Sequence, residues 1–127
     1  MSPVLLIGRE NELRGLVAQA CADRGLPLRT AETVSEGVRF LAGSPASLVI
    51  VDDGCLRVGW PEQLRVFDHV APGMPVVVLV TETTPVAERV KVEALGYSVI
   101  TKPIEAETLL ARIESLSLGT SAGHQKF

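Results

Sequence analysis

Three stretches of the chain are apolar at every position: Val4-Leu5-Leu6-Ile7, Leu48-Val49-Ile50-Val51 and Val76-Val77-Val78-Leu79-Val80. Uninterrupted runs of this length, rich in β-branched residues, predict strands buried on both faces, the habit of a parallel sheet. Two shorter segments complete the set. Leu28-Arg29-Thr30-Ala31 is more polar, as an edge strand is, and Ser98-Val99-Ile100-Thr101 is taken as a further buried strand. Between the strands the apolar spacing changes to three and four, which predicts helices. A helix over 12–24, with Asn11 as its cap, buries Leu13, Leu16, Val17 and Ala20 and stops at Gly25. A second begins at Thr33, turns Val34, Gly37, Val38 and Leu41 inward, and ends at Gly43-Ser44-Pro45. In the third, Pro61 suits the first turn, and Trp60, Leu64, Phe67 and Ala71 share a face before Pro72-Gly73. The fourth, over 86–95, is expected to bury Val86, Val90 and Ala94 and to end at Gly96. The fifth, over 105–117, buries Leu109, Ile113 and Leu116, and 118–127 reads as a flexible tail or linker.

Strict alternation of strand and helix predicts a parallel sheet with helices on both faces and right-handed crossovers. The expected class is α/β, a flavodoxin-like three-layer sandwich with five parallel strands in the order 2-1-3-4-5. In that order a crevice opens between the carboxyl ends of strands 1 and 3. Gly8-Arg9-Glu10 and Asp52-Asp53-Gly54 would line it. The Asp pair has two readings at this point: an acidic site at the end of a central strand, or the start of a turn or cap.

Composition narrows the function classes. The chain has 127 residues, one domain's worth, assigned to 1–117 with the tail beyond. Aromatic residues make up only 4%, so the core rests on aliphatics. Net charge is −3, which leaves no basic footprint for nucleic acid. No apolar run approaches a membrane span. Met1-Ser2-Pro3 leads directly into a strand, so no signal peptide is expected, and a cytoplasmic location is. Cys21 and Cys55 fall in no metal or redox spacing. His69 and His124 lie away from the crevice, so serine hydrolase chemistry finds no support and no enzyme activity is expected.

Three segments resemble the receiver domain of two-component response regulators. Leu48-Val49-Ile50-Val51-Asp52 is similar to the third strand of that family, which ends in the phospho-accepting aspartate, here Asp52. Pro75-Val76-Val77-Val78-Leu79-Val80-Thr81 is similar to the fourth, which ends in Thr or Ser. Ala94 to Ile104 resembles the fifth, with its Lys102-Pro103 pair. The resemblance implies that Lys102 contacts the phosphoryl group and that the Lys102–Pro103 bond is cis.

The departures concern the metal. The family places an acidic pair at the end of the first strand, and together with the acceptor it holds Mg²⁺, a hard cation that takes oxygen ligands. Here Gly8-Arg9 stands in its place, and a one-residue slip offers only Glu10. Val80 stands at the Thr/Ser position, with Thr81 next to it. Val99 replaces the aromatic residue of the fifth strand, and Leu56 replaces a proline after the acceptor. Arg9 either serves as an internal counter-ion to Asp52 and Asp53, so that the four charges of Arg9, Lys102 and the Asp pair sum to zero, or points to solvent. The expectation is an atypical receiver, or pseudo-receiver: a signalling interaction module with a degenerate acidic site, no metal and no cofactor. One alternative is a working receiver, phosphorylated on Asp52 by a histidine kinase with Mg²⁺. Another is a small nucleotide or flavin binder, which the single glycine of Ile7-Gly8-Arg9-Glu10-Asn11 supports poorly. Partners are expected to be proteins: a histidine kinase, an output domain or a second copy, with Val92, Leu95 and Val99 as the contact face. Neither nucleic acid nor membrane is expected as a partner.

Overall fold

A computed structural model describes residues 2–56 and 60–125; the side chains of 60–62, 106 and 117–125 are not among those described. Five strands, β1 (Val4–Ile7), β2 (Leu28–Ala31), β3 (Leu48–Asp52), β4 (Val76–Val80) and β5 (Ser98–Thr101), alternate with five helices. These are α1 (Asn11–Asp23), α2 (Val34–Gly43), α3 (Val66–Val70), α4 (Val86–Ala94) and α5 (Ala106–Gln125). The sheet order is 2-1-3-4-5 and every pairing is parallel.

Side-chain alternation divides the core in two. Leu5, Ile7, Val49, Val51, Val76, Val78 and Val80 face α2, α3 and α4, where Leu41, Phe67 and Val92 meet them. Val4, Leu6, Leu48, Ile50, Val77 and Leu79 face α1 and α5, against Leu13, Val17, Ala20, Leu109 and Ile113. Full burial of one such aliphatic side chain contributes roughly 1.5–3 kcal/mol. The three inner strands therefore supply most of what holds the sheet. α2 lies so close that a Cβ on Gly37 would come within 2.5 Å of Ile7 Cδ1, so any larger residue there requires the Ile7 side chain to shift. Thr33 caps α2 as expected, accepting the Glu36 N–H at 3.1 Å.

Five expectations about these elements need correction. α1 begins at Asn11 itself, with Glu10 as its N-cap residue. β5 is not a buried strand: only Ile100 is buried, because the order leaves β5 at an edge with β4 on one side alone. The third helix starts as a 3₁₀ segment, Trp60–Arg65, before the short α3; Leu64 and Phe67 are buried, Ala71 is half-buried, and the Trp60 side chain lies outside the described residues. α5 does not stop near 117. It runs to Gln125, since no proline follows Pro103 to break it; residues 126–127 lie outside the described residues.

The largest correction is α4, whose orientation is inverted. Val86 and Val90 are 72% and 56% exposed and Ala94 is exposed, while Val92 is fully buried and Leu95 packs half-buried on the same core. The helix carries apolar residues on both sides, so spacing alone does not choose a face. The choice is made where the chain leaves it: Tyr97, two residues past Leu95, is buried and its hydroxyl donates to the Leu64 carbonyl at 3.0 Å and to Asp68 Oδ1 at 3.1 Å. That anchorage draws Leu95 and Val92 inward. Val92 and Leu95 are thus core residues and not an exposed contact face. Val99, half-buried, also packs on that core.

Candidate functional site

The strand registers put the acidic pair where the pattern placed it. Ile7 pairs with Val51, so Gly8 comes beside Asp52. A Cβ on Gly8 would sit 3.4 Å from Asp52 Cβ, in ordinary contact. On the other side Asp52 pairs with Leu79, and Val80 with Thr101, so the ends of β4 and β5 bring Thr81 and Lys102 to the same edge.

Asp52 is 5% exposed, and a buried carboxylate needs compensation. Lys102 supplies it. Its Nζ lies 2.5 Å from Asp52 Oδ1 and 3.9 Å from Asp53 Oδ1. The Gly54 N–H adds a weaker bond to Asp52 Oδ1 at 3.4 Å, as the chain turns through a 3₁₀ segment over Asp53–Cys55. Burial pulls the Lys102 ammonium toward neutrality, but the hydrogen bond and charge of Asp52, helped by Asp53 and Glu10, outweigh it, and the net shift is upward. The Lys102–Pro103 peptide is cis.

Arg9 is not part of this cluster. Its side chain is exposed and Nε donates to the Glu32 carbonyl at 3.3 Å. The reason is local. The Gly8 N–H is still bonded to Ala31 O in the β1–β2 ladder, at 2.9 Å, so the next residue leaves toward the β2–α2 connection. The counter-ion reading of Arg9 is therefore corrected: among the described residues the cation that meets the pair is Lys102, with one negative charge in excess over the three side chains. Glu10 is exposed at the head of α1 and lines an open cleft of about 670 Å³, with Leu13, Leu16, Thr81, Lys102 and Pro103 among its walls. Among the described residues no three His, Cys, Asp or Glu side chains converge as a metal cage.

Sequence reasoning missed Thr84. It is buried and its hydroxyl donates to Asp53 Oδ2 at 2.7 Å. The sequence carries the signal as Thr81-Glu82-Thr83-Thr84, a hydroxyl-rich loop at the sheet's carboxyl edge, which polarity alone does not distinguish from a solvated turn. Thr81 itself is half-buried, whereas Val80 is fully buried in the α2–α4 core and cannot offer a polar group. Cys55 is half-buried beside Arg9 and Glu32. Burial first, then the charge of Asp52, push its thiol up, away from the thiolate a reactive cysteine needs.

No family model matches the chain. Among curated proteins it is 30% identical, over 115 residues and 87% of its length, to the transcriptional regulatory protein GlrR of Escherichia coli K12. The chain spans about a quarter of the length of that relative. Among solved structures, the CheY-like response regulator receiver domain protein of Methanospirillum hungatei superposes with a TM-score of 0.81 at 20% identity, over 96% of this chain and 98% of that one. The beryllofluoride-activated NtrC4 receiver domain dimer superposes with a TM-score of 0.82 at 20% identity, over 94% and 98%. The chain has the fold of response-regulator receiver domains.

In this domain Asp52 and Lys102 meet, while the β1 end contributes a glycine and an arginine that turns away. Magnesium is the metal the fold family implies, and the residues present fit it poorly. Beside Asp52, Gly8 brings no side-chain oxygen, and an ammonium already holds the Asp52 oxygen. No helix among the described residues is long and apolar enough to cross a membrane.

Proposed function

We propose that this domain is a pseudo-receiver, a cytoplasmic signalling module that works through protein contacts and does not depend on Mg²⁺-driven phosphorylation of Asp52. The observation that carries the reading is the β1 end: Gly8 lies beside Asp52 with no side-chain oxygen and Arg9 turns to the Glu32 carbonyl, where a metal site needs carboxylates. Transfer of a phosphoryl group to a carboxylate is chiefly positioning and charge neutralisation. Here Lys102 supplies the cation, but the β1 end supplies no carboxylates to hold a metal beside it. The module performs no catalysis of its own and takes no cofactor. Its partners are proteins, among them an output domain, since the matched relative is a transcriptional regulator about four times as long.

The test is a titration of the intact chain with Mg²⁺ and beryllofluoride, followed by amide NMR and thermal melting. A ligand confined to the folded state stabilises it by about 2.7 kcal/mol at a hundredfold excess over Kd. The expected outcome is melting curves that overlay with and without millimolar Mg²⁺, and amides near Asp52 that do not move. A working receiver is the reading favoured by the retained Asp52 and Lys102 contact. It takes over if Mg²⁺ raises the melting temperature more than another divalent ion does, or if acetyl phosphate modifies Asp52.

A further inference from the structure

Thr84 and Asp52 are the buried polar side chains among the described residues, and only one of them is explained by Lys102. The Thr84 hydroxyl has a single proton, and it goes to Asp53 Oδ2 at 2.7 Å. Its oxygen in turn accepts the Thr81 N–H at 3.0 Å. The Thr81 carbonyl takes the Thr84 N–H at 3.1 Å and Arg89 Nη2 at 2.5 Å, so the first full turn of α4 is strapped to the loop that precedes it. Arg89 Nε is buried with no partner, which leaves Nη2 as the contact holding that guanidinium in place. The next residue, Pro85, is the N-cap of α4. Where α4 begins is therefore set by the Asp53 carboxylate, through one hydroxyl.

We infer that the Asp53–Thr84 hydrogen bond is a built-in anchor that fixes α4 against the end of β3, with Thr84 as the positioning residue. The anchor rests on the pseudo-receiver reading in one respect: it supplies from within the chain the link between the acidic edge and α4, with no group added to Asp52. Its consequence is that the outward face of α4, carrying Val86 and Val90, is presented in one arrangement whatever the state of Asp52.

The experiment is hydrogen exchange on the whole chain, comparing α4 amides with those of β1 and β3. Thr84→Val keeps the shape and removes the donor; Thr84→Ser restores it. A charge-assisted bond of this kind is worth roughly tenfold or more in a local opening constant. Thr84→Val is expected to lower α4 protection by about that factor relative to the sheet, and Thr84→Ser to recover it. Asp53→Ala is expected to reproduce the loss and to add little on top of Thr84→Val. A uniform fall across α4 and the sheet, an unrescued Thr84→Ser, or additive losses overturns the anchor. Beryllofluoride with Mg²⁺ forms a separate arm on the unmutated protein: a response there overturns the pseudo-receiver reading, while the Thr84 variants decide the anchor.

Discussion

The two halves of the crevice are built differently. On the β3–β5 side, Asp52 is buried, Lys102 meets it at 2.5 Å, and Thr84 closes on Asp53 at 2.7 Å. On the β1 side stand Gly8, without a side chain, and Arg9, whose guanidinium leaves for the Glu32 carbonyl and solvent. One half is a largely buried cluster built around the Lys102–Asp52 pair; on the other, among the described residues, the exposed Glu10 brings the nearest carboxylate. The contrast teaches that Lys102, contributed by the far strand, is sufficient to hold a buried aspartate without help from the near one.

Removing the cation tests this most severely. Lys102→Met leaves Asp52 buried and unpaired, and breaking such a pair costs about 3 kcal/mol. Urea unfolding at pH 7 should show a loss of that order, with Asp52→Asn in the same background restoring most of it. A loss below about 1 kcal/mol would put the pair among exposed ion pairs, which contribute little, and the two halves would no longer differ. Next in size is the near half made acidic. Gly8→Asp puts a carboxylate beside Asp52, with room for the new Cβ, and Arg9→Asp adds a second at the same strand end in place of a cation. Without metal this should destabilise by about 2 kcal/mol through like-charge repulsion, and millimolar Mg²⁺ should reverse it in melting curves. If Mg²⁺ does nothing to the double variant, the emptied β1 end is not what keeps the metal out.

A smaller effect sits on the alkaline side. Lys102 titrates above its ordinary 10.5, so the stability from its charged form is complete below that value and is lost as pH rises through the folded value. Tyr97 adds to the same limb: burial, then the bond to Asp68 and its charge, push its phenol from 10 up to about 12. Its neutral form is favoured in the fold, so this contribution is present below pH 10 and is lost toward pH 12. Urea midpoints should be level up to about pH 9.5 and fall beyond it. Tyr97→Phe should blunt the fall and Lys102→Met should blunt it further. A profile unchanged by Lys102→Met would mean that the lysine carries no linked stability.

Much of this was legible in the chain, and the exceptions share a cause. Periodicity located every strand because Leu48 to Val51 and Val76 to Val80 leave no polar face to misread. Asp52 was found as a residue that falls just where a strand ends, and Lys102 through the receiver resemblance of its Lys-Pro pair. α4 was misread because Val86, Val90 and Ala94 compete with Val92 and Leu95, and the winner is fixed by Tyr97 and the Thr81–Thr84 loop, which are tertiary contacts. Thr84 was missed for the same reason. Its partner, Asp53, is 31 residues away, and only the fold brings the hydroxyl to it. Arg9 was left between counter-ion and solvent because charge counting ignores direction, and the direction of residue 9 is set by the ladder bond of Gly8 to Ala31.

Arg9 therefore gives the smallest effect and the cleanest control on the comparison. Its one hydrogen bond, to the Glu32 carbonyl at 3.3 Å, is exposed, so water replaces it when the side chain is cut. Arg9→Ala should change stability by no more than about 0.5 kcal/mol, the ordinary range for surface positions. The sharper reading comes from coupling. If Arg9 were a counter-ion to Asp52, Arg9→Ala and Asp52→Asn would interact, because each would remove the other's partner. With the guanidinium turned away, the double variant should equal the sum of the singles within about 0.5 kcal/mol. The same cycle run between Lys102→Met and Asp52→Asn should show a coupling several times larger. Equal couplings in the two cycles would return Arg9 to the cluster and erase the difference between the two sides of the crevice.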